Sequence, residues 1–114
     1  MAIPYYDNLP PEPVDGVTCL VEVERVYLLD WVRFGEADWG DLTRLFEGLP
    51  RAIPAVRPGF WTWFGDDEDA PPFLSASVET PGLQVYGVLP EADWWAWDGR
   101  FRAGAAGLPC RAPR

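Results

Sequence analysis

The fold of this 114-residue chain is decided by residues 71–97, which read PPFLSASVETPGLQVYGVLPEADWWAW. Residues 74–78 alternate apolar and polar side chains, and this period of two is typical of a half-buried strand. Thr80-Pro81-Gly82 follows, and proline before glycine favours a type II turn. The alternation resumes over residues 83–89. The stretch therefore predicts a β-hairpin.

A helix is predicted directly after the hairpin. Pro90 stands at the first helical position, where its missing N–H leaves no hydrogen bond unmade. Acids in the first turn and arginines near the end match the helix macrodipole. One face of this helix is apolar and presents Trp94, Trp97, Phe101 and Ala105. The other face is polar apart from one tryptophan and presents Glu91, Trp95, Asp98 and Arg102.

Further elements are predicted upstream of the hairpin. Residues 17–34 are predicted to be a strand whose apolar positions change phase halfway. A one-residue slip moves all following side chains to the other face of a strand, so a bulge near Glu24-Arg25 would keep the apolar residues of both halves on one face. A turn at these residues is the alternative. Asp38 is predicted to cap a helix that ends before Pro50. The aromatic run from Phe60 to Phe64 predicts a strand covered on both faces.

The predicted architecture is one small α+β domain. Residues 1–16 are assigned to an irregular proline-rich lead-in, residues 17–106 to the single domain and residues 107–114 to a basic tail. Residues 50–59 hold three prolines and are expected to be a connector. The order strand-helix-strand-strand-strand-helix predicts a mostly antiparallel four-stranded sheet packed with two helices.

The chain is strongly acidic and lacks two residue types on which many enzymes depend. Eighteen acids stand against nine basic residues, a net charge of −9, and every basic residue is arginine. Without histidine or lysine, the usual catalytic triads, histidine zinc sites and Schiff bases are excluded. We therefore predict no enzymatic activity, no cofactor and no metal site. An acidic body repels nucleic acid and anionic membranes and attracts basic proteins.

Four consecutive acids at residues 66–69 lie between two predicted strands. A calcium loop needs alternating ligands, a glycine for the sharp turn and a later glutamate, and this spacing is missing. The pattern is therefore a weak match to a metal loop, and it fits better a solvated loop or a contact for a basic surface such as a nuclease cleft, in which carboxylates imitate phosphates. The predicted partner-binding residues are Asp66, Asp67, Glu68, Asp69, Glu91, Trp95 and Asp98.

Seven tryptophans are many for a chain of this length. Those on apolar helical faces, which are predicted to be buried, are Trp39, Trp94 and Trp97. Trp61 and Trp63 share one face of a strand, so they belong to the core or to a covered sheet face. Trp95 lies on a polar helix face, which suits either an interface anchor or packing against the proline-rich connector.

The whole chain resembles, at the level of a class, the small acidic immunity proteins of bacterial polymorphic toxin systems. Residues 71–97 carry the resemblance, with strand, tight turn, strand and an acidic tryptophan-rich helix. It implies a cognate toxin that is bound tightly and blocked by occlusion of its active site. The first hypothesis is therefore a non-catalytic protein that neutralises a basic or nucleic-acid-acting enzyme. The alternatives are an acidic nucleic-acid mimic that inhibits a host defence enzyme, and a small-ligand or carbohydrate module built on Trp61, Trp63 and Trp95.

The expected partner is a cognate protein toxin or another basic protein, with neither nucleic acid nor membrane bound directly. No hydrophobic run approaches the roughly 18–20 residues that span a membrane. Met1–Pro13 lacks the basic and apolar regions of a secretory signal, which favours a cytoplasmic location. The two cysteines are expected to stay unpaired there, Cys19 as a buried strand thiol and Cys110 as an exposed one.

Overall fold

The computed structural model describes residues 3–16 and 19–112. Residues 1–2, 17–18 and 113–114, which belong to the predicted lead-in, first strand and basic tail, lie outside the described residues. The elements are, in chain order, β1 (Tyr5–Pro13), β2 (Leu20–Tyr27), a 3-10 turn (Trp31–Arg33), α1 (Glu36–Gly48), β3 (Ala52–Arg57), β4 (Phe60–Trp63), β5 (Phe73–Glu79), β6 (Gly82–Pro90) and α2 (Glu91–Gly104).

The strands form one antiparallel sheet in the order β1-β2-β6-β5-β4-β3. The predicted hairpin is confirmed at its centre, because β5 and β6 pair as far as Glu79 and Gly82 and leave only Thr80 and Pro81 as the connection. Glycine is required at residue 82, where φ is +152° and a Cβ would collide with the backbone oxygen of Tyr27.

The predicted four-stranded sheet is wrong, because the sheet has six strands and the two additional ones form its edges. β1 lies within the predicted irregular lead-in and β3 within the predicted connector. The prolines that argued against strands in these segments are Pro10, Pro11, Pro13 and Pro54. An edge strand leaves one row of backbone groups unpaired, so it tolerates a residue without an N–H. The observed order is strand-strand-helix-strand-strand-strand-strand-helix.

Both helices pack against the same face of the sheet, which we call the inner face. The apolar row predicted for α2 is confirmed, since all four of its residues are fully buried. Phe46 of α1 contacts the rings of Trp61 and Trp63 in β4, with centroids 4.6 and 5.2 Å away. Trp63 also donates its indole N–H to the Phe46 carbonyl at 3.0 Å. The opposite, outer face bears no helix in the described parts of the chain.

The apolar positions of β2 change phase because one inner-face position holds a buried charged residue, Arg25. β2 pairs with β6 in continuous register over its whole length, so the predicted bulge or turn near Glu24-Arg25 is wrong. Arg25 occupies an inner-face position, where the alternation predicted an apolar residue. Val26 and Leu28, on the opposite side, are buried as well. The side chains at this end of the strand are therefore buried on both faces. The apolar pattern changes phase although the pairing of β2 with β6 keeps its register.

Three side chains differ in exposure from the sequence interpretation. Trp39 was expected in the core but is 36% exposed, and its ring stacks on Trp31 at 5.1 Å. Cys19 is exposed and Cys110 is half-buried, the reverse of the prediction, and both thiols are free. A bridge between Leu29 and Cys110 fastens the segment after α2 to the end of β2.

Candidate functional site

Carboxylates gather on the outer face of the sheet around Tyr86. The Tyr86 hydroxyl donates to Glu22 Oε2 at 2.6 Å, and the Gln84 amide donates to Glu24 Oε1 at 3.0 Å. Glu22 and Glu24 are two residues apart in β2, so both side chains stand on the same face. Glu68 reaches this face from the loop between β4 and β5. We call Glu22, Glu24, Glu68, Gln84 and Tyr86 the acidic sheet face.

The electrostatics of Tyr86 report the density of negative charge on this face. The hydrogen bond to Glu22 raises the pKa of Tyr86 to about 12, with further contributions from burial and from the charges of Glu22, Glu68 and Glu24. Each of these carboxylates disfavours the phenolate, because a like charge nearby raises the pKa of an acid. The negative potential at this point therefore comes from one strand, β2, and one loop that is distant from it in sequence.

The acidic sheet face surrounds a shallow depression of ≈ 320 Å³. Its lining residues are Glu24, Phe60, Glu68, Ser75, Ser77, Gln84 and Tyr86. Sites for small ligands are typically concave, enclosed and about 300–1,000 Å³, so this depression is at the small end of that range. Its open shape suits one side chain of a protein partner better than a free metabolite.

The predicted acidic loop is exposed, and only part of it joins this face. Asp67 closes the loop on itself, since its carboxylate accepts the Asp69 N–H at 2.9 Å and its carbonyl accepts the Ala70 N–H at 3.1 Å. Of the four predicted acids, only Glu68 lines the depression. No group of three metal-ligating side chains occurs within residues 3–16 and 19–112.

The predicted residues on α2 lie on the other side of the sheet, because α2 packs on the inner face. Trp95 is 45% exposed and donates its indole N–H to Glu91 Oε2 at 3.1 Å. Arg102 lies 6.0 Å from the centroid of the Tyr5 ring, and the rings of Tyr5 and Trp95 both lie near the Arg25 guanidinium. We call Tyr5, Trp95 and Arg102 the helix patch. The sequence-predicted residues therefore fall on two separate surfaces and do not form one site.

The prediction that Asp98 contacts a partner is wrong, because Asp98 is fully buried. Its carboxylate accepts hydrogen bonds from Arg25 at 2.8 Å, from the Tyr27 hydroxyl at 2.6 Å and from Arg102 at 3.0 Å. Helical periodicity placed Asp98 on a polar face, but an arginine from β2 lies beneath that face. We call Asp7, Arg25, Tyr27, Asp98 and Arg102 the buried ion network.

Arg25 is the centre of the buried ion network. Its guanidinium donates to Asp7 at 2.7 Å and lies 3.7 Å from the centroid of the Tyr5 ring. Burial lowers the pKa of Arg25, but the hydrogen bond to Asp7 and the neighbouring negative groups outweigh burial and hold it above the usual range. Burial and the charge of Asp98 raise the pKa of Tyr27 well above its ordinary value. The network therefore fastens β1 and α2 to β2.

The geometry defines an α+β protein with a six-stranded antiparallel sheet, and carboxylates gather on the face that bears no helix in the described residues. A scan against protein-family models, a search of curated proteins and a search of solved structures each found no match. Among the described residues, no helix is long and apolar enough to cross a membrane. Sequence reasoning missed Glu22, Glu24 and Tyr86, although their place at the polar positions of two alternating strands was the available signal.

Proposed function

We propose that this chain is a non-catalytic binding protein that neutralises a cognate toxin by covering its active site with the acidic sheet face. The expected toxin is an enzyme with a basic cleft, such as one that acts on nucleic acid. The supporting observation is the convergence of Glu22, Glu24 and Glu68 around Tyr86 on a sheet face that no helix covers in the described part of the chain. The absence of histidine and lysine agrees with binding rather than catalysis.

Charge and rigidity both favour this use of the acidic sheet face. Complementary potentials speed the encounter of two proteins and suppress wrong partners. Hydrogen bonds between Glu22 and Tyr86 and between Glu24 and Gln84 hold these side chains in place before any partner arrives. Such preorganisation reduces the conformational entropy that binding would otherwise remove. Tyrosine is also among the residues that contribute most to interfaces.

The proposal is tested first by a tagged pull-down from the native organism at low and moderate salt, followed by an activity assay of the captured protein. We expect one stoichiometric basic enzyme whose activity is lost when this chain is added. Absence of a specific partner at both salt concentrations, or a partner whose activity is unaffected, would contradict the proposal.

The acidic sheet face is then tested with two triple variants of equal charge. The face variant changes Glu22, Glu24 and Glu68 to glutamine. The matched control changes three exposed acids of α1, as Glu36→Gln, Asp41→Asn and Glu47→Gln. Each variant changes the net charge from −9 to −6. We expect the face variant to associate about tenfold more slowly and with a flatter salt dependence than the control, and equal rates would exclude this face.

Trp95→Ala tests whether the toxin binds the helix patch or the acidic sheet face. The helix patch lies across the sheet from the acidic sheet face, so this substitution should leave the dissociation constant nearly unchanged. A loss of about 2 kcal/mol or more would identify Trp95 as a hot spot and move the interface to the helix patch.

Competition with duplex DNA tests whether the toxin's covered cleft is one that binds nucleic acid. If the covered cleft normally holds nucleic acid, duplex DNA displaces this chain from the enzyme. An acidic chain imitating nucleic acid towards a host defence enzyme would be displaced in the same way, so the identity of the captured enzyme separates these two functions.

A further inference from the structure

A groove lies where the start of β1, the β5–β6 connection and the segment after α2 meet. Its volume is ≈ 710 Å³, within the range of about 300–1,000 Å³ that is typical of small-molecule sites. We call it the tyrosine groove, and its walls include Tyr5, Tyr6, Leu28, Pro81 and Arg111. It shares no residue with the acidic sheet face, so a ligand bound in the tyrosine groove would use other contacts than those of the proposed function.

Arg111 is held firmly at the wall of the tyrosine groove. Its backbone N–H donates to the Leu28 carbonyl at 2.8 Å, and the bridge between Leu29 and Cys110 fixes the preceding residue. The guanidinium donates through Nη2 to the Pro81 carbonyl. A cation is therefore positioned in the groove by contacts that do not neutralise it.

The guanidinium of Arg111 has no carboxylate as counter-anion among the described residues. Its Nε is buried without a hydrogen-bond acceptor, and Arg111 forms no ion pair with a carboxylate anywhere in residues 3–16 and 19–112. By contrast, the buried Arg25 pairs with both Asp7 and Asp98. A buried donor atom with no acceptor, such as this Nε, is unfavourable, because it has given up water without replacement. In a chain with twice as many acids as bases, this cation points to an anion supplied from outside.

We propose that the tyrosine groove binds a small aromatic monocarboxylate, with the carboxylate on Arg111 and the ring against Tyr6. The planar guanidinium presents N–H groups in the fork geometry that a carboxylate matches. Tyr6 is 42% exposed and offers aromatic surface, and Leu28 and Pro81 add apolar surface. One guanidinium balances one negative charge, so a phosphate dianion would bring uncompensated charge to a chain of net charge −9.

The test is a titration of the ¹⁵N-labelled chain with phenylacetate, followed by two-dimensional ¹H–¹⁵N NMR. We expect saturable shifts of the Arg111 side-chain Nε–H and of backbone amides around the tyrosine groove. Phenylacetamide, which has the ring without the charge, and acetate, which has the charge without the ring, should each bind about tenfold more weakly. If phenylacetate gives no saturable shift, or phenylacetamide binds equally well, the proposal is refuted.

Two variants and a matched control assign the contacts. Arg111→Gln removes the charge and Tyr6→Ala removes one ring, and each should weaken phenylacetate binding about tenfold. Arg100→Gln is the control, because Arg100 is exposed and donates to the Gly48 carbonyl, away from the tyrosine groove. Unchanged binding in Arg111→Gln overturns the proposal. Should that variant fail to fold through loss of its contact with Pro81, Tyr6→Ala and the comparison of phenylacetate with phenylacetamide decide the question.

Discussion

Replacement of Asp98 by asparagine tests whether the buried ion network stabilises the fold through its charge. The substitution keeps the size of the side chain and removes the negative charge from a carboxylate that is fully buried. It also introduces an NH₂ group among the donors of Arg25, Tyr27 and Arg102, which now bond to the carboxylate oxygens. Arg25, itself buried, would keep only Asp7 as an ion-pair partner.

The expected loss of unfolding free energy is about 3–5 kcal/mol, the typical result of removing one partner from a buried ion pair. Each hydrogen bond to a charged group contributes about 1.5–3 kcal/mol, and Asp98 accepts three from side chains. Their plain sum would overestimate the loss, because the three donors share one carboxylate and can relax together. A loss of this size is a large part of the roughly 5–15 kcal/mol that stabilises a typical domain.

Urea unfolding followed by tryptophan fluorescence measures the effect, since three tryptophans lie in the core. With a slope of about 2 kcal/mol per molar urea, the midpoint of Asp98→Asn should fall by roughly 1.5–2.5 M. Asp66→Asn makes the same chemical change at an exposed position and should stay within about 0.5 kcal/mol of the wild type. A loss below about 1 kcal/mol for Asp98→Asn would refute the reasoning, because it would mean that the network gains nothing from the charge.

Three further predictions concern alkaline stability, backbone approach and core packing. The pKa of Tyr86 is raised to about 12, above the unfolded value of 10.0, so its stabilising effect is complete below pH 10 and is lost as pH rises towards 12. Glu22→Gln should make this alkaline loss smaller in urea titrations at pH 9 and above, and an unchanged profile would count against the hydrogen bond as its cause. Gly87→Ala should destabilise by about 1–3 kcal/mol or more, because its Cβ would meet the backbone of β5. Gly99→Ala, in open space on α2, should instead stabilise by about 0.5–1 kcal/mol in thermal or urea unfolding, and equal effects at the two glycines would contradict the close approach. Phe101→Ala should reduce the unfolding free energy by about 3–5 kcal/mol, and a loss under 1 kcal/mol would show that the core collapses around the cavity.

The central part of the fold was predictable because its signals are local. The hairpin of β5 and β6 has a strict period of two and a turn that needs glycine at residue 82. The apolar row of α2 has a helical period, and its residues are buried as predicted. The edge strands were not predictable in this way, since proline disfavours a strand locally and is tolerated only where one side of the strand has no neighbour.

The candidate site was predictable only in part. Exposure of Trp95 and of the acidic loop followed from periodicity and charge, and both are confirmed. Burial of Asp98 could not be foreseen, because it depends on Arg25, which is 73 residues away in sequence. The acidic sheet face depends on a pair 64 residues apart, Glu22 and Tyr86.

The sequence by itself determined the net charge, the absence of histidine and lysine, the central hairpin and the apolar face of the second helix. These properties follow from composition and from residues a few positions apart, whose backbone preferences are independent of distant segments. The tertiary structure alone decided which strands became edges, which charges were buried and which carboxylates met on one face. Each of these depends on strand pairing and register, which are set by how well whole elements bury their apolar faces together rather than by any local stretch of sequence.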